Sequence, residues 1–461
     1  MESGFFVSSD TKASQPETSG KPAVGFRRPH PFGRKSLLSV SFIGMTRMRF
    51  GTFLAPHHPL GEHPALLFRR DLDFAAHLDA LGFDEFWCGE HHSTGWEMIA
   101  SPEMFLAAAG ERTHRIMLGT GVTSLPYHHP YQVAQRIVQL DHMTQGRAMF
   151  GSGPGALPSD ADMFMVEHAR LRDMQDEALS VILPLMRGET MSYETDWFKL
   201  KDAMLQILPF QENLPMVTAS SLSPSGMKLA GKYGIGVLSI ASNTSEGLTA
   251  LPTQWGFAEA AASQHAASGG GADRSQWRVM SSWHLAETRE QAEAEAVDGL
   301  QRWNNEYTVR VLGQPSRTHQ VDKHKLLELS QAGGAVIGTP DDMVTAIRKL
   351  VDITGGFGTL LGFAHDWANK PNTFRSWELF ARYVIPEIQG HLNSMRKSAQ
   401  IVEANKARLM AAAGAAVVAQ IKNDDTAMAA FAITLAAGQQ AAAGASAAAG
   451  AALASATKVT P

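Results

Sequence analysis

The chain reads FDEFWCGEHH at residues 83–92, an apolar run that ends in one carboxylate and two imidazoles. The apolar part predicts a buried strand, and the polar loop STGWE follows it at residues 93–97. Active sites of α/β folds lie at the C-terminal ends of their strands. Histidine also exchanges protons near neutral pH. Glu90, His91 and His92 are therefore candidate site residues, and a polar strand end with hydrogen-bonded histidines is the alternative.

Strand and helix patterns alternate on both sides of this stretch, from Met48 to about Gly390. Strands are predicted over residues 49–54, 83–88, 115–120, 147–151, 215–219, 235–240, 277–285 and 359–363. Helices are predicted over 65–81, 102–110, 131–143, 170–187, 224–233, 288–312 and 339–352. Eight strands with helices between them predict an α/β protein with a (β/α)₈ TIM barrel. Short insertions are expected at 190–208, a hairpin, and at 263–274, a mobile loop.

The composition is that of a globular protein with a substantial core. Of its 461 residues, 44% are hydrophobic and 18% charged, and the net charge of −5 gives no basic footprint for nucleic acid. Cys88 is the only cysteine, which excludes an intramolecular disulfide and a cysteine-based zinc site. We therefore expect a reducing cytoplasm, no nucleic-acid partner and, because no long apolar run occurs, no membrane span.

Both ends of the chain differ in composition from the middle. Residues 1–47 are rich in Ser, Gly, Pro and Thr and predict a disordered leader, with Met48 as the functional start. A targeting peptide is the alternative for this segment. Residues 48–391 form the predicted barrel, and residues 392–461 form an Ala-rich tail. This tail is predicted to be helical to about residue 436 and disordered beyond.

Serines cluster where the predicted fifth strand passes into a helix. Residues 219–226 read ASSLSPSG. Free backbone N–H groups at a helix N-terminus attract an anion, and Ser220, Ser221 and Ser223 add hydroxyl donors that suit a phosphate. Ordinary capping of the helix by one serine is the alternative.

Two further patterns resemble known binding motifs, but neither is interpreted as having the function of that motif. GSGPGA at 151–156 fits the dinucleotide fingerprint, but Pro154 and Pro158 should prevent the helix that this motif requires. Its glycines more simply let the backbone approach a flat ligand. Histidine pairs occur at 57–58, 91–92 and 128–129, yet adjacent residues of an extended chain point to opposite sides. No metal site is therefore predicted, and Asp160 and Asp162 are interpreted as capping or solvating a loop.

Several motifs together resemble the bacterial luciferase-like flavin monooxygenases. They are MRFGTFLAP at 48–56, EHH at 90–92, LP at 125–126 with HP at 129–130, DHMTQGR at 141–147 and ASS at 219–221. Within the family, GEHHS at 89–93, LPYHHP at 125–130 and GPGALPSD at 153–160 look most like the limonene monooxygenase branch. The resemblance implies a barrel that takes reduced FMN from a separate flavin reductase, activates O₂ at the flavin and oxygenates a small apolar substrate.

The resemblance also assigns roles to individual residues. The family's catalytic histidine falls on His91, its flavin-phosphate loop on Ser220, Ser221 and Ser223, and its non-prolyl cis peptide on Gly121-Val122. Gly153 stands where the luciferases proper carry a cysteine, and Ala219 where they carry an acid, so light emission from an aldehyde is not expected. Gly121, Val122 and Gly153 would then contact the flavin ring, and an apolar pocket is predicted from Trp96, Tyr127, Met163, Phe164 and Met165.

Three functional hypotheses remain at this stage. The first is an FMNH₂-dependent monooxygenase, working as a homodimer or heterodimer. A deazaflavin-dependent hydride-transfer enzyme would place similar residues at the ring. The third hypothesis is a non-catalytic flavin-binding subunit, which would have the same fold without enzymatic activity, because a fold does not by itself fix a function.

Overall fold

A computed structural model describes residues 47–437 except Pro56, Thr244, residues 314–321, Phe431 and Leu435. The predictions for residues 1–46 and 438–461 lie outside the described residues. A division of the chain at 47/48 and 391/392 stays a prediction.

Eight parallel strands form the barrel. They are β1 (Arg49–Leu54), β2 (Glu85–Cys88), β3 (Met117–Thr120), β4 (Ala148–Gly153), β5 (Met216–Ser220), β6 (Gly236–Ser239), β7 (Trp277–Ser281) and β8 (Thr359–Ala364). Each strand pairs with the next, and β8 pairs with β1, so the sheet is closed. The predicted (β/α)₈ barrel is confirmed.

Helices surround the barrel and extend beyond it. They are α1 (Pro64–Leu81), α2 (Pro102–Gly110), α3 (Pro130–Met143), α4 (Pro158–Met163), α5 (Leu171–Met186), α6 (Ser225–Tyr233), α7 (Ser245–Gln264), α8 (Arg289–Arg302), α9 (Lys323–Ala332), α10 (Pro340–Thr354), α11 (Lys370–Leu379), α12 (Ile385–Ile388), α13 (Leu392–Ala404) and α14 (Lys406–Lys422). Segments Trp303–Val311 and Phe380–Val384 are π-helical. Short strands outside the closed barrel are Thr123–Ser124, the hairpin Met191–Glu194 with Lys199–Ala203, and the parallel pair Trp283–Leu285 with Val336–Gly338.

Several elements differ from the sequence prediction, among them the following three. The proline at 158 does not prevent a helix: α4 begins at it, because a proline is tolerated at the first helical position. Helix α7 was not predicted, and Pro252 in its interior obscures the helical pattern. The predicted strand 277–285 is broken, since its second part leaves the barrel to pair with Val336–Gly338.

The core has two layers, one inside the barrel and one between strands and helices. Side chains that fill the inside are Phe53, Trp87, Met149, Val217, Leu238, Met280, Leu361 and Phe363. A buried ion pair, Glu85 with Arg278 at 3.1 Å, lies at the N-terminal end of this interior. The site residues therefore collect at the opposite, C-terminal mouth. Among the described helices, none has the length and apolar character needed to cross a bilayer.

Candidate active site

His91 follows β2 at the mouth of the barrel and contacts a carboxylate through each ring nitrogen. Its Nδ1 lies 3.0 Å from Oδ2 of Asp160, which is on α4. Its Nε2 lies 3.1 Å from Oε2 of Glu97, in the loop that follows β2. The structure thus places this half-buried histidine in an acidic environment at the expected end of the strand.

The charges around His91 set its protonation. Burial lowers the pKa of His91, but Glu97 and Asp160 outweigh burial and raise this pKa above its ordinary value. Burial likewise opposes ionisation of Glu97, yet His57 and His91 hold the pKa of Glu97 at about 2. His91 therefore lies between two ionised carboxylates, which favour its protonated form.

Glu97 is itself held by two other elements. Its Oε1 lies 3.3 Å from Nε2 of His57, which is in the loop after β1, and the Tyr307 hydroxyl donates to the same oxygen. Trp303 Nε1 donates to His57 Nδ1 at 3.3 Å. Tyr307 and Trp303 belong to the π-helical segment Trp303–Val311, so this segment is hydrogen-bonded to the site.

Glu90 organises a second histidine cluster beside the first. Its Oε1 accepts from Nε2 of His92 at 3.0 Å and from Nε2 of His128 at 2.9 Å. These ligand atoms lie within 4.8 Å of one another, close enough for a cation by distance alone. However, Arg136 can only donate, and it donates to Nδ1 of His128 at 3.3 Å. The proton of His128 therefore lies on Nε2 and points at Glu90, which makes the trio a hydrogen-bond cluster.

The pair His57-His58 diverges as expected for adjacent residues of an extended chain. His57 faces Glu97, whereas His58 contacts Asp71 at 2.9 Å and Asp366 at 2.8 Å. Burial lowers the pKa of His58, but its two carboxylate partners raise it to about 9. His58 thus links α1 to the loop after β8 and lies outside the site.

The strand ends beside His91 carry the residues assigned to the flavin ring. The Gly121–Val122 peptide bond is cis, as the resemblance implied. A Cβ atom on Gly153 would lie 2.4 Å from Cγ2 of Val122, and one on Gly121 would lie 2.9 Å from Cβ of Trp87. The packing of the protein alone therefore requires both glycines.

The predicted serine loop lies between β5 and α6 at the same mouth. A Cβ atom on Gly226 would lie 2.1 Å from the carbonyl oxygen of Ala219, so only glycine lets the start of α6 pack this closely on the end of β5. The N-cap of α6 is Pro224, and within the described chain no side chain caps this helix. The alternative prediction, that one serine caps this helix, is therefore wrong.

The serine hydroxyls around this helix end differ in exposure. Ser221 is exposed, and Ser223 is half-buried and lies 2.8 Å from the Ser225 hydroxyl. Ser220 Oγ is buried and, among the described residues, has no hydrogen-bond partner. An uncapped helix N-terminus beside a buried hydroxyl without a partner fits an anionic group such as the phosphate of FMN.

Sequence reasoning missed three residues of this site. Asp160 was interpreted as a residue that caps or solvates a loop, and its Oδ1 does accept the backbone N–H of His92, but its contact with His91 through Oδ2 was not foreseen. Glu97 lies in the predicted loop, but nothing in its spacing indicated contact with His57. Tyr307 is 210 positions from Glu97 in the chain, so no local pattern could join them.

The fold is that of a TIM-barrel enzyme, with a histidine between two carboxylates and an uncapped helix N-terminus at one end of the barrel. The chain belongs to the family of luciferase-like monooxygenases, whose model matches residues 48–355. It is therefore an oxidoreductase of the monooxygenase type.

Individual relatives agree with this membership. The chain is 46% identical to 4-hydroxyprotoasukamycin monooxygenase of Streptomyces nodosus subsp. asukaensis, over 77% of this chain and 96% of the relative. It is 43% identical to limonene 1,2-monooxygenase of Rhodococcus erythropolis, over 78% and 94%. A solved structure with a TM-score of 0.63 and 25% identity is the oxygenating constituent of 3,6-diketocamphane monooxygenase of Pseudomonas putida, in complex with FMN, matched over 74% of this chain and 99% of that one.

Proposed function

We propose that this protein is a two-component monooxygenase that uses reduced FMN and O₂ to oxygenate a small apolar organic molecule. The observation that carries the proposal is the uncapped N-terminus of α6, which lies with the unpartnered Ser220 hydroxyl at the barrel mouth that holds His91. The monooxygenase names of the relatives and the FMN bound by one of them support it.

Each group of residues has a role in this proposal. Ser220, Ser221, Ser223 and the N-terminus of α6 bind the phosphate, and Gly121, Val122 and Gly153 contact the ring. When bound, the reduced flavin supplies two electrons, while O₂ supplies one oxygen atom to the substrate and one to water. His91 holds a proton at the site and controls its transfer to oxygen. A separate flavin reductase would supply the reduced cofactor, in a cytoplasmic homodimer or heterodimer.

An aromatic wall supports an apolar substrate. The rings of Tyr127 and Phe164 stack with centroids 4.7 Å apart and planes 8° apart, and Met163 and Met165 beside them are exposed. Trp96 was expected at this rim, but it is buried against Tyr307 instead. The proposed substrate class is therefore a compact apolar molecule such as a terpene, ketone, aldehyde or heterocycle.

The direct test is O₂ uptake by the purified protein with FMNH₂ and a panel of such compounds. Substrate-dependent uptake with an oxygenated product is the expected result. Reduction of a substrate by a reduced deazaflavin, without O₂ uptake, would identify a hydride-transfer enzyme instead. A protein that binds FMN but is inert with every reductase and substrate would be the non-catalytic subunit.

The double variant Ser220→Ala/Ser223→Ala is expected to bind FMN at least about tenfold more weakly. A hydrogen bond to a charged group contributes roughly 1.5–3 kcal/mol, and 1.4 kcal/mol corresponds to about one decade of affinity. The measurement is a fluorescence titration of wild type and variant with FMN and with riboflavin.

Riboflavin is the internal control, because it lacks the phosphate and never used these donors. Its affinity should change little. Equal losses for both ligands would mean that the loop is structural, and no loss for either would place the phosphate elsewhere on the barrel mouth.

A further inference from the structure

The hydrogen bonds around Glu97 have directions that chemistry fixes. The indole N–H of Trp303 can only donate, so the His57 Nδ1 that faces it at 3.3 Å must accept. The proton of His57 therefore lies on Nε2 and points at Oε1 of Glu97. The Tyr307 hydroxyl donates to the same oxygen. Oε1 thus has two donors, and Oε2 is directed at His91.

The carboxylates of Glu97 and Asp160 then define the protonation state of His91. Oε2 of Glu97 lies 3.1 Å from Nε2, and Oδ2 of Asp160 lies 3.0 Å from Nδ1. The other oxygen of Asp160 already accepts from the Ser93 hydroxyl at 2.5 Å and from the backbone N–H of His92 at 3.2 Å. An ionised carboxylate only accepts, so an imidazole between two of them donates from both nitrogens. Such a ring is a cation without a free lone pair.

On the basis of the proposed function, we propose that Glu97, which is anchored by His57 and Tyr307, is a positioning residue that keeps both ring nitrogens of His91 protonated. His91 then serves the oxygenation as a proton donor and not as a general base. The N–H bond of the ring breaks, its proton goes to the oxygen atom that leaves as water, and solvent returns a proton to the ring. A histidine acts as this kind of proton donor only where carboxylates lie on both sides of its ring.

The titratable groups around His91 and its partner Glu97 come from four elements. They are Glu97 and Glu90 in its own loop, Asp160 on α4, His57 in the loop after β1, and Tyr307 on the π-helical segment. The three carboxylates stabilise the cation, while burial of the ring opposes it. The protonated, proton-donating form of His91 is therefore dominant below its raised pKa. This form is lost as the pH rises through that pKa. Activity should fall on the alkaline side for the same reason.

The Glu97→Gln variant should move this alkaline fall in activity, the alkaline limb of the pH profile, to lower pH by about one unit or more. A shift of this size is the usual effect of one adjacent charge. Gln keeps the size of the side chain but removes its charge, and it can accept hydrogen bonds at only one of its two terminal atoms. The titration of His91 is measured by NMR on the FMN-free protein, and the pH dependence of O₂ uptake on the loaded enzyme. Both curves should shift together.

Glu295→Gln is the matched control. Glu295, on α8, pairs with the buried His284 at 2.9 Å, and its loss should leave the titration of His91 unchanged. Tyr307→Phe removes one donor to Glu97 and keeps the charge, so it should slow turnover without moving the pH limb. Glu97→Asp keeps the charge on a shorter side chain and should restore most of the wild-type profile. If Glu97→Gln does not fold, Glu97→Asp replaces it, and a small shift in the same direction is expected because the shorter side chain holds the charge farther from His91.

An unchanged His91 titration in Glu97→Gln, or activity that rises with pH through the His91 transition, would overturn the proposal. The NMR measurement needs neither FMN nor O₂. A protein that shows the shift but no O₂ uptake would therefore contradict the proposed function and leave the positioning role of Glu97 supported.

Discussion

Oxygenation by the His91→Ala variant is expected to be slower by about 10²-fold or more, the usual loss when an acid or base is removed. The variant deletes the ring that lies between Glu97 and Asp160, and with it the proton available at the barrel mouth. Folding and FMN affinity should stay near wild type, because the assigned phosphate site lies on α6. The measurement is single-turnover product formation with FMNH₂, beside an FMN titration.

His92→Ala is the control for this prediction. His92 contacts Glu90 at 3.0 Å and packs edge-on against Phe164, so it faces away from Glu97. Its removal should lower stability more than the rate. Unchanged turnover in His91→Ala would remove His91 from the mechanism, whatever its hydrogen bonds.

The barrel was predictable because its signal is local and repeated. Each strand shows as a short apolar run, and each helix as an apolar face that follows it, so eight repeats define the closed sheet. The strand ends needed no long-range information either, which is why His91 and the serines after β5 were identified. Errors fell where local cues mislead: Pro158 starts a helix, and Pro252 lies inside one.

The partners of His91 were beyond reach of sequence patterns. Asp160 is 69 positions away and Tyr307 comes from a segment inserted between β7 and β8. Their contact depends on how the loops cross the barrel mouth, which no periodicity records. The resemblance to a family assigned His91 a role, but only the packing shows that two carboxylates hold it.

At the other end of the barrel, an ion pair was equally invisible in the sequence. The Glu85→Gln variant is expected to lower the free energy of unfolding by about 3–5 kcal/mol, the usual cost of leaving a buried charge without its partner. Arg278 is 1% exposed and donates to both carboxylate oxygens of Glu85 at 3.1 Å, and Trp87 Nε1 donates to Oε2 at 2.8 Å. Burial raises the pKa of Glu85, but Arg278 and Arg49 outweigh it and lower that pKa. Denaturant unfolding at neutral pH measures the loss.

Two comparisons separate this pair from ordinary surface charge. Glu189→Gln breaks a pair with Arg187 whose side chains are 51% and 61% exposed, and it should cost less than about 1 kcal/mol. The double variant Glu85→Leu/Arg278→Met removes both charges and should be more stable than Glu85→Gln, since the penalty comes from the unpaired cation and not from the lost attraction. FMN affinity of the folded variants should not change, because the pair lies at the end of the barrel opposite the site. If Glu85→Gln cost no more than Glu189→Gln, the Arg278 charge must be reached by solvent, and the barrel would not be sealed at its base.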